Sequence, residues 1–467
     1  MSIANYKWAS SLISFARFAP AHKETLNSLL SARSVAAAPW HTGLEFRITI
    51  SFLHELVHFY QDLYTGAGHA DYLIYRRLNR KAFACAEQIL ALIEFFGISG
   101  ENESDLSSLY EQLQAALLLD ADPDIRQFVV ERKNYADIAA RIQEIQDFLQ
   151  QLFGAELIPL EPESLLTESL FENEAVATVY LQYLQFKCSD DQYLISKAFD
   201  YLVRPETMTG VYTGCIDILT AFSRGALGAE ADPDLIERNA LTILNFILDL
   251  SAAYPPRTLL EASGIDRVAF EPGVKFTCLL HALQTMDQEQ ADLFIYGLTG
   301  QNATMGEQAL LKSCRINYPP ADMVYAAWLD LFEDLRTDRL DHLLETRINA
   351  CKARLSSRTG SFAPKDLALY TFTNQNLPLS VISTDGIIIY GQHIQTLDEF
   401  RFGYMTALLS WNLDFNLFHL LHEGQEFNCP YAESQVCSIS RPNCRHIHKL
   451  TDIPADRQCY VFNDLKL

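Results

Sequence analysis

Apolar residues recur at three- and four-residue spacing over most of the chain, which predicts a largely helical protein. The spacing runs over about 6–18, 23–38, 70–97, 105–119, 123–153, 192–203, 210–222 and 233–253, then through a block over about 275–357. A loop rich in proline and glutamate, about 158–167, precedes a helix beginning near Glu168, and a last helical pattern spans about 396–423. Residues 44–50 alternate between apolar and polar, and fit either a short strand or the first turns of the helix that follows. One stretch has period two around a turn: Leu379-Ser380-Val381-Ile382-Ser383, then Thr384-Asp385-Gly386, then Ile387-Ile388-Ile389-Tyr390. It predicts a β-hairpin within 377–391. The Pro255-Pro256 pair marks a boundary. The expectation is a mainly α, multi-helix (α+β) protein with a helical domain over 1–255, a second helical block with the hairpin over 256–427, and a Cys/His-rich tail over 428–467.

Composition narrows the setting. The 467 residues are 49% apolar with 20 Gly and 17 Pro, so the chain is globular and long enough for two or three cores. A net charge of −23 repels phosphate backbones and anionic lipid surfaces; nucleic acid and membranes are therefore not expected partners, and a protein or peptide substrate suits the field better. No run of 18 apolar residues occurs and the first residues lack the pattern of a secretory signal, which points to a cytoplasmic protein. Six of the ten cysteines (Cys85, Cys188, Cys215, Cys278, Cys314 and Cys351) stand singly in apolar segments, as free thiols do in a reducing compartment.

The sharpest chemistry sits at Ser51-Phe52-Leu53-His54-Glu55-Leu56-Val57-His58-Phe59-Tyr60, where three ionisable side chains interrupt an apolar run. On a helix, residues four apart share a face, so His54 and His58 can offer two imidazoles to one ion. Glu55 lies beside that pair, placed to hold a water activated by zinc and take its proton.

These residues resemble the helix of the zincin metallopeptidases, with its His-Glu-x-x-His set between uncharged positions. The resemblance covers about fifteen residues around His54 and a second segment, Phe171-Glu172-Asn173-Glu174-Ala175-Val176-Ala177, similar to the Asn-Glu-x-x-Ala element of the gluzincin branch. It implies a zincin-like domain over 1–255, with Zn2+ held by His54, His58 and Glu174 and with Glu55 as general base. A helical insertion over about 104–153 accounts for the distance between the two segments. Glu172, Glu87, Asp71 and His69 are rival third ligands. Where the branch carries an Asp four residues after the ligand Glu to orient a histidine, this chain has Thr178, and Asp62 is a candidate substitute for it.

The tail carries Cys429-x7-Cys437-x6-Cys444-x3-His448, which has the order of a Cys-Cys-Cys-His zinc finger and could close a structural site; free thiols are the equal alternative. The functional expectation is a zinc-dependent metallopeptidase that hydrolyses a peptide bond through a zinc-activated water. The alternative is a non-catalytic helical interaction or regulatory protein with structural zinc. The sequence does not specify the oligomeric state.

Overall fold

Helices dominate the described residues, as the apolar spacing requires. The computed structural model describes residues 4–7, 12–15, 24–26, 29, 43–74, 135–186, 211–228, 230–299, 302–336, 342–356, 380–383 and 388–390. They belong to two compact units, each drawn from separated stretches: one from 1–27, 71–138 and 378–467, the other from 28–70 and 139–377. Pro255 and Pro256 lie inside the second unit. The proposed insertion is described only from 135 onward, and the tail and the last helical pattern lie outside the described residues.

The first unit holds a four-stranded sheet in the order β1 (Ala4–Lys7), β2 (Leu12–Phe15), β3 (Ser380–Ser383), β4 (Ile388–Tyr390). β1 and β2 are antiparallel with Ala4 opposite Phe15, β2 and β3 run parallel with Leu12 opposite Ser380, and β3 and β4 are antiparallel. The helix expected over 6–18 is therefore replaced by two strands. Four-residue strands hold too few repeats to separate period two from period 3.6. The partner of β2 lies at the far end of the chain, and this long-range pairing overrides the local pattern.

The second unit is helical. Its described elements are α1 (Gly43–Tyr64), α2 (Tyr135–Phe153, of which residues from 139 belong here), α3 (Thr167–Phe186), α4 (Val211–Leu227), α5 (Pro233–Ser251), α6 (Arg257–Ser263), α7 (Pro272–Thr285), α8 (Gln288–Thr299), α9 (Ala303–Lys312), α10 (Ala321–Asp334) and α11 (His342–Ser356). Local chemistry sets their starts. Asp232 caps α5 by accepting from the Asp234 amide at 3.0 Å, and Pro233 supplies a fixed φ in the first turn. Asn302 caps α9 in the same way.

Residues 44–50 join α1 as its first turns. From Ile48 to Leu63 almost every side chain of α1 is buried, including Phe52, Leu56, Val57 and Tyr60, so this is a core helix without a solvent face. Each such Leu or Phe contributes roughly 1.5–3 kcal/mol by leaving water. α1 packs on α3 and α11, and α3 packs on α5. A second core joins Ile145, Leu149 and Phe153 of α2 to Phe270, Val274 and Tyr318.

The C-terminal end of α1 is held by arginines of α11. Arg347 donates from Nη2 to Asp62 Oδ1 at 2.8 Å and from Nη1 to the Asp62 carbonyl, and Arg354 donates from Nε to the Tyr64 carbonyl at 2.7 Å. The last carbonyls of a helix generally find partners beyond it, and cations at this end match its dipole. Asp249 of α5 neutralises Arg354 through contacts of 2.5 and 3.0 Å. Thr65 then turns the chain: its hydroxyl donates to the Gln61 carbonyl at 2.6 Å and accepts from the Gly68 amide at 3.0 Å, capping the helical stretch 66–74. Gly66 abuts the main chain of Tyr254 so closely that a Cβ would collide with it.

Candidate metal centre

Midway along α1, His54 and His58 present their Nε2 atoms to one point, 3.2 Å apart, with rings at 88° to each other. The third group comes from α3. Glu172 places Oε2 3.1 Å from His54 Nε2 and Oε1 3.4 Å from His58 Nε2. One ligand atom from each residue fits within 4.8 Å. Tetrahedral zinc with bonds of about 2.0–2.1 Å separates its ligand atoms by about 3.3–3.4 Å; the two Nε2 atoms stand 3.2 Å apart, and each carboxylate oxygen of Glu172 approaches a different one of them. Two imidazoles and a carboxylate form a donor set that could hold a metal ion. The Glu172 side chain is 55% exposed, so the group opens to solvent on that side, whereas both histidines are mostly buried.

The carboxylate brought to the pair is thus Glu172, and Glu174 lies elsewhere. Residues two apart leave a helix about 200° apart around its axis, so the two glutamates cannot share one target. Glu174 is buried and accepts from Gln61 Nε2 at 2.9 Å. Burial, then the charge of Asp249, pushes its carboxyl above the usual range against the pull of Gln61, Arg354 and His58. Glu55 is buried, with its charge acting on His58.

Electrostatics tie the group together. Burial alone would lower His58, but the hydrogen bond and charge of Glu172, then Glu55 and Gln61, outweigh it and raise the imidazole to about 9. Partial burial would raise Glu172, yet hydrogen bonds and charge from His54 and His58 hold its carboxyl well below the usual range.

The other sequence candidates are placed away from this group or outside the described residues. Asp62 is committed to Arg347. His69 packs against Trp328, Phe332 and Tyr325 with Nε2 3.3 Å from Cys351 Sγ; burial, then Arg347 and Arg354, keep it neutral. Asp71 does not join the cluster. Glu87, Cys429, Cys437, Cys444 and His448 fall outside the described residues. Sequence reasoning missed Gln61, although its spacing of three from His58 marks the same helix face. It also missed Arg347 and Arg354, seven apart and so on one face of α11.

Comparison with known protein families, characterised proteins and solved structures finds no match to this chain. No helix among the described residues is long and apolar enough to cross a membrane.

Proposed function

We propose that this protein is a zinc-dependent hydrolase, with His54, His58 and Glu172 holding the metal and Glu55 as general base. The observation that carries the reading is the convergence of two Nε2 atoms and one carboxylate, from two helices, within 4.8 Å of one another. When bound, zinc supplies Lewis-acid activation, lowering the pKa of a water toward about 7. Glu55, adjacent in sequence to the first histidine, receives the proton and returns it to the leaving group. Among the described residues the group has three protein donors, the number with which a catalytic site keeps a position open, where a structural site is closed by four. This favours an enzyme over a helical regulatory protein with architectural zinc. The peptide bond as substrate rests on the likeness of the His54–His58 helix to the zincin metallopeptidases, and the acidity of the chain favours a cationic peptide.

Elemental analysis together with hydrolysis of a mixed peptide library tests the reading. The protein is expected to carry about one zinc per chain; His54→Ala/His58→Ala loses it, and Glu55→Gln keeps it while losing hydrolysis by at least about a hundredfold. Unchanged zinc in the histidine variant would overturn the metal site, and full activity in Glu55→Gln would overturn the base.

A further inference from the structure

We propose that Gln61, anchored by Glu174 and the Phe171 carbonyl, is a positioning residue that fixes the tautomer of His58 and so selects Nε2 as its metal-binding nitrogen. The inference rests on the zinc site proposed above and gives roles to two residues that hold no metal.

A primary amide has one accepting end and one donating end, and which end faces which neighbour must follow from the neighbours. Gln61 is 3% exposed, so both ends need partners within the protein. One end meets the Phe171 main-chain carbonyl at 2.9 Å and Glu174 Oε2 at 2.9 Å. A carbonyl oxygen only accepts, so that end is the NH2 group, and its two hydrogens match the two acceptors. The other end is therefore Oε1, which lies 2.7 Å from His58 Nδ1. An amide oxygen also only accepts, so Nδ1 carries the hydrogen and Nε2 is left as the nitrogen that binds a cation. That Nε2 is the atom facing His54 and Glu172.

The arrangement is one-sided. Nδ1 of His54 is buried with no hydrogen-bond partner among the described residues, so only His58 is locked. The lock and the third donor are also one unit, because Phe171 immediately precedes Glu172 on α3. Docking of α3 on α1 delivers the carboxylate and sets the imidazole in a single step. Removing the partner that orients a metal-bound histidine typically weakens metal binding 10–100-fold.

The test is zinc affinity by chelator competition on the full chain, with thermal midpoints measured metal-free. Gln61→Met is expected to bind zinc 10–100-fold more weakly than the parent. Glu174→Gln, whose amide oxygen still accepts from Gln61, stays within about threefold, and Glu174→Leu falls between the two. A merely structural Gln61 would lower the metal-free midpoint and leave zinc affinity unchanged, which overturns the proposal. Nitrogen-15 NMR of histidine in the zinc-loaded parent needs no variant: His58 should show a protonated Nδ1 and a coordinated Nε2, and the reverse overturns the proposal even if Gln61→Met does not fold. Failure of the underlying reading looks different, because the parent itself then shows no zinc that depends on His54 and His58.

Discussion

The two charged regions of α1 are built on opposite rules. At its C-terminal end, Asp62 with Arg347 and Asp249 with Arg354 are buried and paired, and the arginines also serve the carbonyls of Asp62 and Tyr64. Midway along the same helix, two imidazoles and a half-exposed carboxylate crowd together, and one ring nitrogen is left without a partner among the described residues. Charge that serves the fold is closed on itself, whereas the charge proposed here to hold a metal keeps a side open. A buried pair is also poor material for a ligand, because taking either member away strands its partner.

Breaking the closed region has the largest expected effect. Arg354→Ala takes from Asp249 its hydrogen-bonded cation where both side chains are 2% exposed, leaving only the charge of Lys275 nearby, and should cost about 3–5 kcal/mol in urea or thermal unfolding. Replacing both with leucine should recover part of that loss; a single variant as stable as the parent would show that the pair does not hold α11 to α5.

The open region responds instead to pH. In the metal-free protein His58 is raised to about 9 from an ordinary 6.5, so its stabilising contribution is complete below about 6.5 and is lost as pH rises through 9. The loss should be about 1–3 kcal/mol, discounted because Glu172 is half exposed and its charge is screened. Glu174, Lys275 and Glu307 also titrate between pH 6 and pH 9.5, so the part of the change in thermal midpoint that zinc abolishes measures it. Saturating zinc should flatten the slope, since a nitrogen bound to metal carries no proton. An equal slope with and without zinc would contradict that placement.

The smallest effect marks the baseline for both regions. Arg257 and Glu261 form a pair at 2.8 Å on α6, each about two-thirds exposed, and Arg257→Ala should change stability by less than about 0.5 kcal/mol. A larger change in a melting experiment would mean that surface pairs carry weight here too.

What could be read from the sequence followed the reach of each interaction. His54, Glu55 and His58 stand out because four-residue spacing on a helix is local, and the burial of Phe52, Leu56 and Val57 follows from their uncharged surroundings. Choosing between Glu172 and Glu174 was not local. It depends on how α3 is rotated against α1, which is set by the packing of residues such as Ala175 and Val176 and by no pattern within the segment itself. The strands at 4–7 and 12–15 were hidden for the same reason, since β2 finds its parallel partner at 380–383. Gln61 was within reach of the helical-face argument; what concealed it was the assumption that a carboxylate must orient the histidine.

His54 and Glu172 are separated by 118 positions in the chain. An ion meeting a nascent α1 would find two imidazoles and no carboxylate, and would exchange freely; firm capture waits until α3 has docked. Bound metal should therefore act as a brake on unfolding more than as a guide to folding. At the proposed site the dwell time of the ion would then be a clock for how often α3 lifts away from α1, an event otherwise visible only in slow amide exchange.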